Sequence, residues 1–455
     1  MRTNNTIAAI ATSLSPAGIG IIRISGEEAT EIADRVFRGS RSLKEADTHT
    51  VNYGFIYDGD EAVDQVLVMI MKAPRSYTGE DTVEIQCHGG MLVLKRILSL
   101  VIDAGANPAE PGEFTKRAFL NGKMDLSQAE AVADIIDAEN QNSLKVGMRQ
   151  LKGKLSDEIS GIRKILLNEI AFIEAALDDP EHYSLEGYGE ELDRKVSAVY
   201  SRIDRLIRNA DTGIIIKSGI DTVILGRPNS GKSSVLNLLA GTDRAIVTDI
   251  EGTTRDILTE NLSLAGIRLN VTDTAGLRNS IDIVEKIGIE RAKKAARDAD
   301  LILCVLDGAE ELREEDKEVL DFIDGMNAVI LINKHDLSSW KPCQDERIFR
   351  HPFIGFSAKT GQGLAELENI VKDMFFKGEI NLNDEIYVTS IRHLQALKAA
   401  LGSIKLVREG IENGQTEDLL SVDLQDAYES LGTITGETVG EDIINEIFSK
   451  FCMGK

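Results

Sequence analysis

The sequence predicts a multidomain chain of mixed α+β and α/β class: an N-terminal α+β domain, an all-α helical domain, and a doubly wound α/β domain inserted into the helical one. Three observations predict it. Short apolar strands alternate with helices over residues 217–380, the pattern of a mostly parallel sheet covered on both faces. Long helical periodicity flanks that stretch on both sides, at 124–208 and 391–431, as expected of one helical domain split by an insertion. Ahead of both, short strands and helices mix up to about Phe119. A length of 455 residues is in keeping with about three domains. The expected boundaries are 1–119, 120–216, 217–380 and 381–455.

Each element has its local reason. Ile7–Ala11 and Gly20–Ile24 are strand-like, Ala29–Phe37 is a short helix, Gln65–Met71 and Val83–Cys87 are strands, and Leu92–Ile102 is an amphipathic helix. Arg23 and Glu84 fall on or beside these strands, where spacing alone favours a solvated surface charge. Ser127-x-x-Glu130 reads as a capping box that opens a helical run to about Leu177. An acidic loop, Asp178–Tyr188, interrupts the run before Leu192–Arg208 resumes it. Lys145, Arg149 and Lys152 share one helix face, open to RNA but more ordinarily just solvated. In the α/β stretch the expected strands are Thr222–Leu225, Ile267–Thr272, Leu301–Leu306, Ala328–Ile332 and Phe353–Phe356. Ile391–Arg408 and Asp418–Leu431 return to helix.

Composition narrows the function classes. A formal net charge of −24 argues against a protein that coats nucleic acid non-specifically. The four cysteines, Cys87, Cys304, Cys343 and Cys452, show no metal-ligand spacing and read as reduced thiols. No apolar run reaches the length of a membrane span and no secretory signal pattern opens the chain. The expected location is cytoplasmic, with no membrane partner.

The chemistry sits at the ends of the α/β strands. Gly226 followed by Gly231-Lys232-Ser233 matches G-x-x-x-x-G-K-[ST] between an apolar strand and an apolar helix, the context that a phosphate-binding loop requires. Backbone N–H groups from Asn229 and Ser230 through Gly231 to Ser234 and the helix N-terminus would cradle phosphate. Lys232 can reach the β- and γ-phosphates and the Ser233 hydroxyl can bind Mg²⁺. Thr254, in the polar loop Gly252–Asp256, is a second Mg²⁺ ligand candidate. Asp273 and Gly276, in Asp273-Thr274-Ala275-Gly276, are placed for the metal shell and the γ-phosphate. Asn333-Lys334-His335-Asp336 and Ser357-Ala358-Lys359 end later strands. The Asp336 carboxylate matches the adjacent N1–H and 2-amino donors of guanine, a pair that adenine lacks. GTP is therefore the expected nucleotide.

In this order the motifs resemble the GTPase superfamily. Many members carry Gln after Asp-x-x-Gly to orient the attacking water. Here Leu277 stands there and cannot hydrogen-bond. Glu285, nearby, offers a carboxylate, although alone it reads more readily as a solvated helix charge.

A closer resemblance, over nearly the whole chain, is to the bacterial and organellar tRNA modification GTPases. It is carried by Gly18–Gly26, Tyr77–Gly90, Pro111–Lys123, Asp125–Ala131 and the tail Phe451-Cys452-Met453-Gly454-Lys455. The resemblance implies an N-terminal folate-binding and dimerising domain, a split helical domain and an inserted GTPase. It implies addition of a carboxymethylaminomethyl-type group to C5 of the wobble uridine in tRNA. It implies contacts to 5-formyl-tetrahydrofolate or a related folate from Arg23, Glu84, Lys123 and Lys455. It implies K⁺ held by Asn229, Thr248, Ile250 and Thr253, with Thr248 and Thr253 also reaching the nucleotide, and Glu285 as the catalytic carboxylate. Cys452 matches a tail cysteine, or simply part of a mobile terminus. A homodimer is implied, joined by an FAD-dependent partner protein in a heterotetramer, with flavin on the partner alone. The competing expectation is a ribosome-assembly or translation switch GTPase without modification chemistry. That alternative calls for a basic RNA-binding domain, which this acidic chain does not display.

Overall fold

The computed structural model describes residues 5–242, 259–264, 266–272, 293–340, 345–376 and 385–454. The chain divides into two compact units: Met1–Ala133, Gln150–Ala175 and Leu424–Lys455 form one, and Asp134–Arg149 with Ala176–Asp423 form the other.

The first unit is built on a seven-stranded sheet. Its strands are β1 (Ile7–Ile10), β2 (Ala17–Ser25), β3 (Phe37–Gly39), β4 (Thr50–Asp58), β5 (Glu61–Met71), β6 (Thr82–Gly89) and β7 (Asn107–Pro108), in the order β3-β4-β5-β6-β2-β1-β7. Only the short β1–β7 pairing is parallel. Alternation sets the faces. Ile22, Ile24, Val66, Val68, Val83 and Ile85 pack with helices Ala29–Val36 and Met91–Asp103 into one core. The opposite face carries Arg23 and Glu84, in register across β2 and β6.

Strand β4 was not among the strands expected from the sequence. The inward residues are Asn52, Gly54 and Ile56, while Val51, Tyr53 and Phe55 point outward and are exposed. Its sequence alternates as a strand's does, Val51, Tyr53 and Phe55 against Asn52 and Gly54, but here the alternating apolar residues face outward. Gly54 is needed on the inner face because any Cβ there would strike the Phe37 ring.

The helices of this unit correct the capping expectation. The helix Leu126–Ile136 is capped by Asp125, whose Oδ1 accepts the Gln128 N–H at 2.9 Å and the Ser127 hydroxyl at 2.7 Å. Gln128 Oε1 returns the bond to the Asp125 N–H at 3.0 Å. The box is therefore Asp125-x-x-Gln128, two residues before Ser127-x-x-Glu130. Aspartate caps as well as serine, and Ser127 is itself buried within the first turn. The helical run also breaks twice, giving Leu126–Ile136, Gln141–Leu151 and Lys154–Asp178. Gly153, at φ +83°, makes the second break, and Lys152 lies beyond the end of the helix that carries Lys145 and Arg149. The three basic residues do not form one helix face. On Lys154–Asp178, Arg163 donates to the Tyr428 carbonyl at 3.2 Å and pairs with Glu437, fastening the helix Glu417–Thr435. Leu126, Ala129, Ile444, Phe448 and Phe451 form a further core under the C-terminal helix Glu441–Ser449.

The second unit holds a six-stranded sheet of β8 (Ile220–Leu225), β9 (Thr259–Leu264), β10 (Ile267–Thr272), β11 (Leu301–Asp307), β12 (Ala328–Asn333) and β13 (Phe353–Gly355). The order is β13-β12-β11-β8-β10-β9, parallel except for the edge strand β9. Apolar cores cover both faces, so β11 and β12 are buried along their whole length. The helix Tyr188–Arg208 packs against Ile391–Glu412, with Arg408 over the Tyr200 ring. Asp134 accepts Lys217 Nζ at 2.7 Å and the Thr389 hydroxyl at 3.0 Å. One carboxylate thus pins the chain just before β8 and again after the last helix of the sheet domain.

Candidate functional site

The site is assembled where the parallel strands end. After β8 the chain turns at Gly226, φ +147°, where a Cβ would run into the Val305 carbonyl of the neighbouring strand. Asn229 holds a left-handed φ of +64°. At Gly231, φ +102°, a Cβ would collide with the Asn333 amide nitrogen. The glycines are there for close approach as well as for their dihedrals. Lys232 opens the helix Lys232–Thr242 and donates from Nζ to the carbonyls of Gly226 and Arg227 at 2.7 and 2.8 Å. Burial pulls its ammonium below the ordinary lysine range.

Two further loops meet the first. Asn333 is buried at the end of β12 and bridges them. Its Nδ2 donates to the Ser230 carbonyl at 3.0 Å, and its Oδ1 accepts the Ala358 N–H at 3.0 Å. Lys334 sits at φ +67°, a backbone region that side chains other than Gly seldom adopt. Asp336 accepts the Ser357 hydroxyl at 2.7 Å, and that bond holds its carboxyl below the usual aspartate range. Trp340 buttresses this loop by packing against His335, ring centroids 4.2 Å apart and tilted by 54°, and by donating to the Ile332 carbonyl. Between the loops lies a cleft of about 600 Å³.

The expected nucleotide residues Gly231, Ser234, Asn333, Lys334, Asp336, Ala358 and Lys359 all line this cleft. Asn229, Ser230, Ser233 and Ser357 stand on the same loops or on the helix that follows. Thr248, Ile250, Thr253, Thr254, Asp273, Gly276, Leu277 and Glu285 lie outside the described residues. Asn237, Leu238 and Leu337 also line the cleft, and sequence reasoning missed them because their types belong to no nucleotide motif. It also missed Asp307, a lone carboxylate closing the apolar run of β11 at the same sheet end.

The first unit contains a second polar site. Arg23 donates from Nε to Glu84 Oε1 at 2.9 Å, and its terminal nitrogen lies 2.9 Å from the same oxygen as an ion pair. Their side chains are 17% and 12% exposed, so the surface-charge reading is corrected to a largely buried ion pair. The Arg23 guanidinium lies 5.6 Å from the rings of both Tyr77 and Phe114. It also donates to the Gly454 carbonyl at 3.3 Å, which brings the C-terminal tail to the pair. Tyr77 donates or accepts at Thr115 at 2.9 Å, and burial raises its phenol. Lys123 donates to the Pro74 carbonyl at 2.9 Å and packs beside Gly79, on the loop that also carries Tyr77. Lys455 lies outside the described residues. Cys452 is exposed. Among the described residues no group of three or more His, Cys, Asp or Glu is placed to hold a metal ion.

Comparison with known proteins covers the whole chain. Residues 126–452 match the model of the MnmE helical domain, and residues 6–123 match that of the GTP-binding protein TrmE N-terminus. A protein of Lachnoclostridium phytofermentans described as tRNA modification GTPase MnmE is 51% identical over 100% of both chains. One of the same description from Acetivibrio thermocellus is 46% identical over 100% of both. Among solved structures, a variant of Aquifex aeolicus Era bound to GDP.AlF4- is 26% identical over 41% of this chain and 67% of that one, with a TM-score of 0.27.

Proposed function

Because the chain belongs to the MnmE family of tRNA modification GTPases, we propose that its hydrolysis of GTP drives a complex that adds a carboxymethylaminomethyl-type group to C5 of the wobble uridine of certain tRNAs. The observation that carries this reading is the convergence of Asp336, Ser357, Asn333 and the Gly231 loop on one cleft. In this reading Asp336 takes the guanine N1–H and 2-amino group, with Ser357 fixing its carboxylate. Asn333, Ala358 and Lys359 frame the base. Lys232 leaves the two carbonyls it now contacts for the β- and γ-phosphates. Such a move is favoured because a phosphate supplies the charge partner that the buried ammonium lacks among the described residues.

The Mg²⁺ site is proposed from the phosphate-loop motif and the K⁺ site from the family resemblance. Ser233 and Thr254 would hold Mg²⁺, and Asn229, Thr248, Ile250 and Thr253 would hold K⁺. Hydroxyl, amide and carbonyl oxygens suit hard cations, and these would supply neutralisation of phosphate charge. Glu285 would position the attacking water in place of the glutamine that Leu277 replaces.

The Arg23–Glu84 pair is our candidate for a folate such as 5-formyl-tetrahydrofolate. Glu84 offers an acceptor for pterin N–H donors, Tyr77 and Phe114 offer ring surfaces, and Arg23, Lys123 and Lys455 offer charge to the folate carboxylates. The exposed stripe of Val51, Tyr53, Phe55 and Leu67 on β4 and β5 supports a homodimer formed through this first unit. Flavin belongs in this reading to a separate FAD-dependent partner, which joins the dimer as a heterotetramer. We keep the boundaries 1–119, 120–216, 217–380 and 381–455 for the functional domains. No described helix is long and apolar enough to cross a membrane, and the reading places the complex with tRNA in the cytoplasm.

The test is mass spectrometry of wobble-uridine nucleosides from cells lacking the gene. Loss of the C5 modification is expected. Unchanged nucleosides would favour a switch GTPase.

A further inference from the structure

Asp307 ends β11 with its side chain only 2% exposed, yet it belongs to none of the nucleotide-binding motifs. Three groups converge on it. Lys334 Nζ lies 2.5 Å from Oδ2, the Arg227 guanidinium 3.4 Å from the same oxygen, and the Ala309 N–H donates to Oδ1 at 3.0 Å. Arg227 belongs to the loop that follows Gly226, and Lys334 to the loop that carries Asp336. One buried carboxylate therefore joins the loop at the phosphate end to the loop at the base end.

The rest of the network is arranged around that joint. Arg227 donates to Glu310 at 2.8 Å and lies 3.2 Å from Asp316 Oδ2 as an ion pair without hydrogen-bond alignment. The Arg227 carbonyl accepts Lys232 Nζ. Glu310 and Asp316 balance Arg227, whereas Asp307 is the carboxylate that Lys334 contacts. Lys334 needs such a partner. Its φ of +67° is a conformation that an L side chain adopts only when its surroundings fix it. Lys334 adds this anchor to those that Asn333, the Ser357 bond to Asp336 and Trp340 give the same loop.

We infer that Asp307 is a positioning residue for guanine selection: it clamps Lys334 in its left-handed conformation and so sets where Asp336 meets the base. The inference rests on the reading of Asp336 as the guanine acceptor. It predicts a defect specific to the base end. Asp307→Asn keeps the volume and the bond from Ala309 but removes the charge that holds Lys334. The loop then samples other conformations, and the preference created by the guanine 2-amino group declines.

Titration calorimetry of the full-length chain with GTP and with inosine triphosphate, which lacks that amino group, separates the possibilities. The wild-type chain should bind GTP about tenfold or more tighter than inosine triphosphate, the discrimination expected of a charged hydrogen bond. In Asp307→Asn the ratio should fall below about threefold, with the weakening concentrated in GTP. Glu310→Gln, which unbalances Arg227 without touching Lys334, should keep the wild-type ratio. Asp307→Ser serves the same purpose if the amide variant fails to fold. A general structural role would weaken both nucleotides equally and leave the ratio alone, and that result would overturn the inference. A wild-type chain without preference for GTP would instead overturn the assignment of Asp336.

Discussion

Asn333→Ala removes the bridge between two loops of the nucleotide cleft, and its effect can be worked from the contacts. The residue is 3% exposed and its side chain makes two bonds of 3.0 Å, one to the Ser230 carbonyl and one from the Ala358 N–H. Each such bond contributes about 1 kcal/mol net, and the stranded groups would cost more if they stayed dry. The residue borders a cleft, so water can reach both groups once the side chain is gone. That places the total near the lower figure, about 2 kcal/mol for the pair. At roughly 1.4 kcal/mol per factor of ten, the nucleotide should dissociate about thirtyfold faster. Asn333→Asp keeps the acceptor for Ala358 but loses the donor to Ser230, and it sets a carboxylate against a carbonyl. It should be at least as damaging as half the alanine effect. Stopped-flow release of a fluorescent GDP, alongside thermal melting of the nucleotide-free protein, measures both. Release of GDP from Asn333→Ala within about threefold of wild type would refute the bridging argument.

Three other outcomes are expected. Asp336→Asn should weaken GTP and favour xanthosine triphosphate, because an amide can donate to the xanthine 2-oxo group; competition binding that shows an undiminished GTP preference would contradict this. Removal of Gly454 and Lys455 takes away the carbonyl that Arg23 contacts and should lower affinity for 5-formyl-tetrahydrofolate while leaving GTP binding intact; calorimetry showing equal loss of both would point to misfolding. Phosphate release should be fast in KCl and slow in NaCl at equal ionic strength, and Glu285→Ala should lose about a hundredfold or more in either salt with nucleotide binding retained. Equal rates in the two salts would rule out the potassium role.

What the sequence revealed depended on whether a residue's role is local. The phosphate-loop spacing, the Asn-x-x-Asp run and the five parallel strands were all legible, because each is set by near neighbours in the chain, the strands by short apolar runs or, in β10, by apolar alternation. β9 was missed because an edge strand, Thr259–Leu264, has no such run. β4 was missed although Val51, Tyr53 and Phe55 alternate with Asn52 and Gly54 at strand period. The capping box was misplaced because Asp125 and Ser127 are both good caps, and only the bond pattern separates them. Arg23 and Glu84 looked like surface charges until register brought them side by side across 61 residues of chain. Asp307 was illegible for the same reason: its partners, Arg227 and Lys334, lie in distant loops that only the parallel sheet brings together.

The central claim is that GTP turnover by this chain drives chemistry on tRNA, and reconstitution tests it most directly. The purified chain, the proposed FAD-dependent partner, substrate tRNA, NADH and the proposed folate are combined with GTP or with a non-hydrolysable GTP analogue, and the wobble nucleoside is read by mass spectrometry. The account predicts C5 modification with GTP and little or none with the analogue. Equal modification with the analogue, or with no nucleotide at all, would contradict it.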